Sequence, residues 1–280
     1  MDFGIQPVDA YTGFSSTGAF QDAQVRRAFA YCIDRQAIVD AVYFGLTGIP
    51  NAYISNSHPY FPSDATTYPY DPAQGRTLLD AAGWVDTNGN GIRDKDGVEF
   101  SLYLITTDAA TRITIVGLIA SQMLTNCGIE VIPDHRPAGE VFSDGPYGPI
   151  FGRKFDLAEF AWLTGYEPPC DLYLTDNIPS EENGWGQSNV TGYGNPLYDE
   201  ACQAALSSVT EMDKAAHHGD AVRIFTQDLP VLPLHFRLLT GAAAPNIEGF
   251  TLDPTGGRLW NLEGIWVSLF DLYLPIALKH

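Results

Sequence analysis

The sequence predicts an α/β fold, a mixed sheet with helices on both faces, and three observations carry that reading. Residues 100–106 alternate like a strand, residues 109–126 form a strong helical pattern closed by Gly128, and residues 129–133 read as the next strand. A strand–helix–strand unit of this length fits a right-handed crossover between parallel strands. Upstream, Val25, Ala28, Phe29, Cys32, Ile33 and Ala37 recur at three- and four-residue intervals, so residues 22–42 read as one amphipathic helix with Asp22 as its N-cap. Residues 155–163 supply a further apolar strand.

The remaining elements follow in chain order. Gly45 and the run Gly48-Ile49-Pro50 end the first helix, and a polar, tyrosine-rich loop occupies residues 51–70. Long ordered loops in compact domains tend to carry function. A second helix covers residues 71–82, with Asp71-Pro72 at its start and Gly83 as its stop. After the strand at 155–163, a Gly-, Asn- and Pro-rich stretch spans residues 167–196. Helices at 197–207 and 212–228 and a strand at 231–239 come next. No internal repeat and no low-complexity segment is visible.

Composition narrows the function. With 280 residues, 45% hydrophobic and 12% aromatic, the chain has ample material for one large or two ordinary cores and is unlike a disordered polypeptide. No window approaches the ~20 uninterrupted apolar residues of a membrane span. The opening Met1-Asp2-Phe3-Gly4 has neither the basic nor the apolar region of a secretion signal. Fifteen Lys and Arg face 34 Asp and Glu, and the resulting net charge of −19 repels phosphate backbones and anionic lipid. Nucleic acid and membrane surface are therefore poor partners.

The four cysteines, Cys32, Cys127, Cys170 and Cys202, form no CxxC and no metal spacing. They permit up to two disulfides outside the cytosol. Cys32, on an apolar helix face, reads as a small buried hydrophobe, and Cys170 and Cys202 as the bridging pair.

Two motifs bear on chemistry. Asp86, Asn88, Asn90 and Asp94 place oxygens at positions one, three, five and nine of a calcium-type loop, with Gly91 at six. Position twelve is Gly97, where the bidentate Glu should stand, so the loop also reads as an Asx-rich turn. Calcium is the only cofactor the sequence suggests, and the turn reading needs none. The second motif is Phe160-Ala161-Trp162-Leu163-Thr164-Gly165-Tyr166, an apolar strand that ends in Trp and Tyr before two prolines. Ligands of open α/β proteins bind beyond the carboxyl ends of strands, and these rings offer broad contact with a polar handle. Trp162 as a core plug is the competing reading. No serine elbow, phosphate loop or HExxH is present, and His217-His218 diverge around a helix too far to chelate one ion.

Residues 20–35, with Phe20, Asp22, Val25, Arg26, Ala28, Ile33, Asp34 and Arg35, resemble the "F-x-D-x-x-V-R-x-A-x-x-x-A-I-D-R" signature of family 5 extracellular solute-binding proteins. That family includes oligopeptide-, dipeptide- and nickel-binding proteins of ABC importers. Tyr70-Asp71-Pro72 with the run from Leu78 to Trp84, the turn from Asp86 to Gly97, and Phe155-Asp156 through Trp162 are similar to its later motifs. Asn195-Pro196 with Asp199, and Leu229-Pro230 with Pro233, complete a series covering about residues 10 to 265.

The resemblance implies one lobe of a bilobal, type II periplasmic-binding-protein-like fold. Residues 1–20 would cross from a missing N-terminal lobe, 21–228 would form the C-terminal lobe, and 229–280 would return toward the hinge. It further implies non-catalytic capture of a small solute, a peptide above all, for the membrane subunits of an ABC importer. The setting would be periplasmic or extracellular, with any lipid anchor on the missing N-terminus. A hydrolase of peptides or glycosides, or a ligand-free structural or sensor module of the same fold, are the other classes.

The ligand wall is expected at Trp162, Thr164, Gly165 and Tyr166, with Tyr53 and Tyr60 close by. Peptide-binding members resemble "W-x-x-D-Y" here, their Asp pairing the peptide amine, whereas this chain has Gly165. Either Asp171 or Glu167 substitutes, or the solute has no ammonium group at this place.

Overall fold

The computed structural model describes residues 1–162, 165–253 and 260–268. Its strands and α-helices run, in chain order, β1 (Asp2–Phe3), α1 (Ala23–Cys32), α2 (Arg35–Tyr43), α3 (Pro72–Ala81), β2 (Asp94–Lys95), β3 (Val98–Glu99), β4 (Ser101–Thr107), α4 (Ala110–Cys127), β5 (Glu130–Arg136), α5 (Ala138–Val141), β6 (Leu157–Glu159), α6 (Pro196–Ser207), α7 (Glu211–Asp228), β7 (Ile247–Glu248) and β8 (Trp266–Val267). The main sheet has the order β1-β6-β4-β5. Strands β6, β4 and β5 are parallel and β1 runs antiparallel on the edge, so the sheet is mixed.

Alternation along the strands gives the sheet two apolar faces. Leu102, Leu104 and Leu157 point into the large core shared with α1, α3 and α4, while Ile105 and Ala158 point into a smaller one with Val141 of α5. The large core centres on Phe3, Phe14, Phe20, Phe29, Trp84 and Phe100, whose rings meet at 4.4–5.9 Å, mostly tilted or edge-on.

The helix expected over residues 22–42 is two helices. Asp22 caps α1 by accepting from the Gln24 amide, as expected, but Ile33 is extended and Asp34 starts a new helix by accepting from Ala37. A carboxylate one residue past a helix end competes for amides as an N-cap. Helix α4 satisfies the backbone groups that the break frees. Gln122 accepts from the Asp34 amide at 2.8 Å, and Asn126 donates to the Cys32 carbonyl at 2.9 Å. The strand expected over 231–239 shrinks to one bridge, Asp2 with Val231. Pro230 and Pro233 lack the N–H a ladder needs. Of the strand expected at 155–163, the described residues pair only over Leu157–Glu159, and Leu163 lies outside them.

Cys32 is not a free thiol. It bridges to Cys127, joining α1 to the end of α4, and Cys170 bridges to Cys202. Periodicity places a cysteine on a buried face but says nothing of its partner 95 residues away. Helix α3 passes directly over the first disulfide. A Cβ on Gly75 would stand 2.5 Å from Cys32 Sγ and 3.1 Å from the Ala28 carbonyl oxygen. Replacing Gly75 with Ala is therefore expected to push α3 off α1 and cost about 1–3 kcal/mol in urea unfolding. An unchanged unfolding midpoint would contradict this packing.

Candidate functional site

Strands β4 and β6 both end at one side of the sheet, and a cavity of about 590 Å³ opens there. Its floor is Glu159, the last residue of β6, with Phe160, Ala161 and Trp162 just past it. One wall is the first turn of α4, with Thr111 and Arg112, and another is the extended segment from Val231 to Leu238. Ala52 and Tyr53 from the long loop, with Tyr173 and Phe225, close a third side, and Asp2 of β1 enters from the sheet edge.

Glu159 is buried and held from two directions. Arg112 reaches its Oε2 at 2.6 Å and the Thr106 hydroxyl donates to the same oxygen at 2.8 Å. The pair fixes the start of α4 against the end of β6, because Arg112 and Thr106 also donate to the Glu159 carbonyl. Phe160 packs edge-on against Trp162 at 5.5 Å. Tyr53 packs edge-on against Phe225 at 4.9 Å and lies 5.9 Å from Tyr173. Burial pushes the Tyr53 phenol well above its ordinary pKa. At the far wall the Tyr43 hydroxyl lies 3.4 Å from His235 Nε2, and burial lowers the His235 pKa.

Three polar atoms in this lining are buried without a hydrogen-bond partner: Asp2 Oδ1, the Tyr53 hydroxyl and Trp162 Nε1. Buried polar groups are nearly always satisfied, so three orphans around one cavity mark it as built for something else to complete. A second cavity, about 730 Å³, lies between residues 6–21 and Ser180, Glu181 and Trp185. Arg153 Nε is the one buried orphan among its lining residues.

The residues singled out from sequence separate into two groups. Trp162 and Tyr53 line the cavity together. Tyr166, 61% exposed, and Tyr60 are outside its lining and join another cluster. There His58 packs against Tyr166 at 5.1 Å and Tyr60 at 4.9 Å, Tyr60 stacks on His218, and the Tyr60 hydroxyl donates to Glu211. Gly165 is exposed with open space where a side chain would go, and Thr164 lies outside the described residues. Glu167 is exposed beside Lys214 at 4.0 Å, and Asp171 is exposed; neither lines the cavity.

In the loop of residues 86–97, the side chains proposed for calcium are engaged by the loop itself. Asp86 accepts from the Gly89 and Gly91 amides, Asn88 from Asn90, Asn90 from Ile92, and Asp94 from the Thr87 amide and hydroxyl. This is the Asx-turn arrangement.

Asp2, Arg112, Glu159 and residues 233–238 escaped the sequence reading. Glu159 had a signal, an acid between apolar residues of a strand, which in a buried strand demands a cation. Asp2 and the return segment reach the cavity only through long-range pairing.

The chain belongs to the bacterial extracellular solute-binding proteins, family 5; that family's middle region matches residues 8–183. Relatives include the oligopeptide-binding protein AppA of Bacillus subtilis, 26% identical over 256 residues, which cover 89% of this chain and 45% of AppA. The nickel-binding periplasmic protein of Escherichia coli is 22% identical over 278 residues, covering 90% of this chain and 51% of that protein. Among solved structures, AppA in complex with a nonapeptide superposes with a TM-score of 0.73 at 24% identity, over 90% of this chain and 48% of AppA. A mannohexaose-bound periplasmic oligopeptide-binding protein from Thermotoga maritima gives 0.75 at 19% identity, over 95% and 51%. These likenesses show the fold, one lobe of the type II periplasmic binding proteins. The chain spans about half the length of the curated relatives it matches.

The Arg112–Glu159 pair gives the site a direct stability test. Arg112→Met strands a buried carboxylate and should cost about 3–5 kcal/mol, whereas Arg112→Met with Glu159→Gln should recover a large part of that loss. Chemical unfolding of the two variants reads the difference, and equal losses would mean that the pair is not coupled.

Proposed function

We propose that this chain is the C-terminal half of a two-lobed binding protein that captures a small solute, a peptide above all, for an ABC importer, without chemistry. The observation that carries the proposal is the cavity at the strand ends, with its aromatic lining and three unsatisfied polar atoms. Such a surface is suited to holding a ligand through broad ring contacts and a few directed hydrogen bonds. Names among the relatives, for oligopeptide and nickel binding, support the class of function. The hydrolase reading is weaker, because it needs two carboxyl groups free to act. Glu159 already holds Arg112 and the Thr106 hydroxyl, leaving Asp2 as the one unengaged carboxylate in the lining.

On this reading the cavity is one wall of a cleft that a second lobe closes by hinge motion. A ligand on the single wall would leave about 200 Å² of apolar surface in water, and at about 25 cal/mol per Å² that forfeits about 5 kcal/mol. The isolated chain should therefore bind its solute at least about a hundredfold more weakly than a two-lobed protein that contains it. Calorimetry with peptides, a nickel chelate and oligosaccharides is expected to give saturable binding of one class by the two-lobed protein, with the ligand recovered intact. Turnover of the ligand, or no binding across the panel, would defeat the proposal.

A further inference from the structure

Asp2 is an unusual residue in an unusual place. It is 3% exposed, its Oδ1 is buried without a hydrogen-bond partner, and it lines the cavity. Among the described residues it forms no ion pair. Nor is it free to escape, because its backbone pairs with Ala158 of β6 on one side and with Val231 on the other. The strand thus holds a carboxylate toward the cavity with no route to water by a change of backbone.

The charges around it do not neutralise it. Arg112 is bound to Glu159, and Glu159 adds its own negative charge to the field at Asp2. Burial is the largest influence and raises the Asp2 pKa to about 7. Ionised Asp2 in this setting costs folding stability, and either a proton or a cation arriving in the cavity relieves that cost.

We propose that Asp2 is the residue that receives an organic cation, an ammonium or guanidinium group, on the solute held in this cavity. This deepens the binding reading above and rests on it. It also relocates the carboxylate. Position 165, well past the end of β6, is a glycine in open space, whereas Asp2 approaches the cavity from the neighbouring edge strand. Tyr53, Trp162 and Tyr173 line the same cavity, and aromatic rings in a lining suit a cation further.

The test compares trialanine amide, which carries one ammonium group, with N-acetyl-trialanine amide, which carries none. Titration calorimetry on the two-lobed protein containing this chain is expected to show the free amine binding at least about tenfold more tightly. Asp2→Asn, of the same shape, should abolish that preference, and Asp2→Ala should do the same if the Asn variant fails to fold. Equal binding of both peptides by the unaltered protein, or a preference that survives in the variants, would overturn the assignment to Asp2 while leaving solute capture intact. Binding of neither peptide would bring down the peptide reading of the site and this assignment with it.

Discussion

Arg26 on α1 and Arg35 on α2 are both buried, form no ion pair among the described residues, and direct their guanidinium N–H groups at main-chain carbonyls. Arg26 donates to Phe20 and Gln21 in the turn just before its own helix, and to Asp228 and Leu229 where α7 ends. Arg35 donates to Pro50 and Tyr68 at the two ends of the long loop, and to Pro233 in the segment that follows α7. A planar group with five donors in a wide fork can satisfy carbonyls from several chain reversals at once, which no apolar residue can do. Burial lowers both side chains to about 10, so they remain charged at neutral pH and the hydrogen bonds are charge-assisted.

The cavity depends on that arrangement. Residues 231–238, one of its walls, form almost no ladder of their own; they are placed by Arg35, by the Asp2–Val231 bridge and by the Leu232 amide donating to the Met1 carbonyl. The loop that brings Ala52 and Tyr53 to the opposite side is held by Arg35 at Pro50 and Tyr68. The same two helices are clamped to α4 by the Cys32–Cys127 disulfide and by Gln122 and Asn126, and α4 in turn presents Arg112 to Glu159. The "V-R" and "D-R" of the helical signature thus act at a distance. They stand outside the cavity lining, yet they set the position of the walls.

Much of this fold was legible in the sequence because its cues are local. Asp22, Asp71 with Pro72, and Gly128 mark helix ends, and each does so in the structure. The strand–helix–strand unit around α4 is parallel with a single register, as its length and periodicity implied. What the sequence hid is what long-range contacts decide. Nothing near Asp34 announces that Gln122 will receive its amide, so one helix was expected where there are two. Cys32 looked like an ordinary apolar residue because its partner lies on another helix. Around the cavity, Trp162 and Tyr53 are lining residues, the first singled out by its apolar strand and the second by the character of its loop. Tyr60 and Tyr166 share those features but meet each other across His58 instead of facing the cavity. Asp2 carried no local signal at all.

On the function proposed above, the strand-end cavity is the place where the solute lies against this lobe. A crystal structure of a two-lobed protein containing this chain, with its solute bound, tests that claim most directly. The solute should lie against Tyr53, Trp162 and Asp2, with ligand atoms within hydrogen-bond distance of Trp162 Nε1 and Asp2 Oδ1. A solute seated in the cavity beside Gln6, Arg153 and Trp185, with those two atoms still unpartnered, would contradict it.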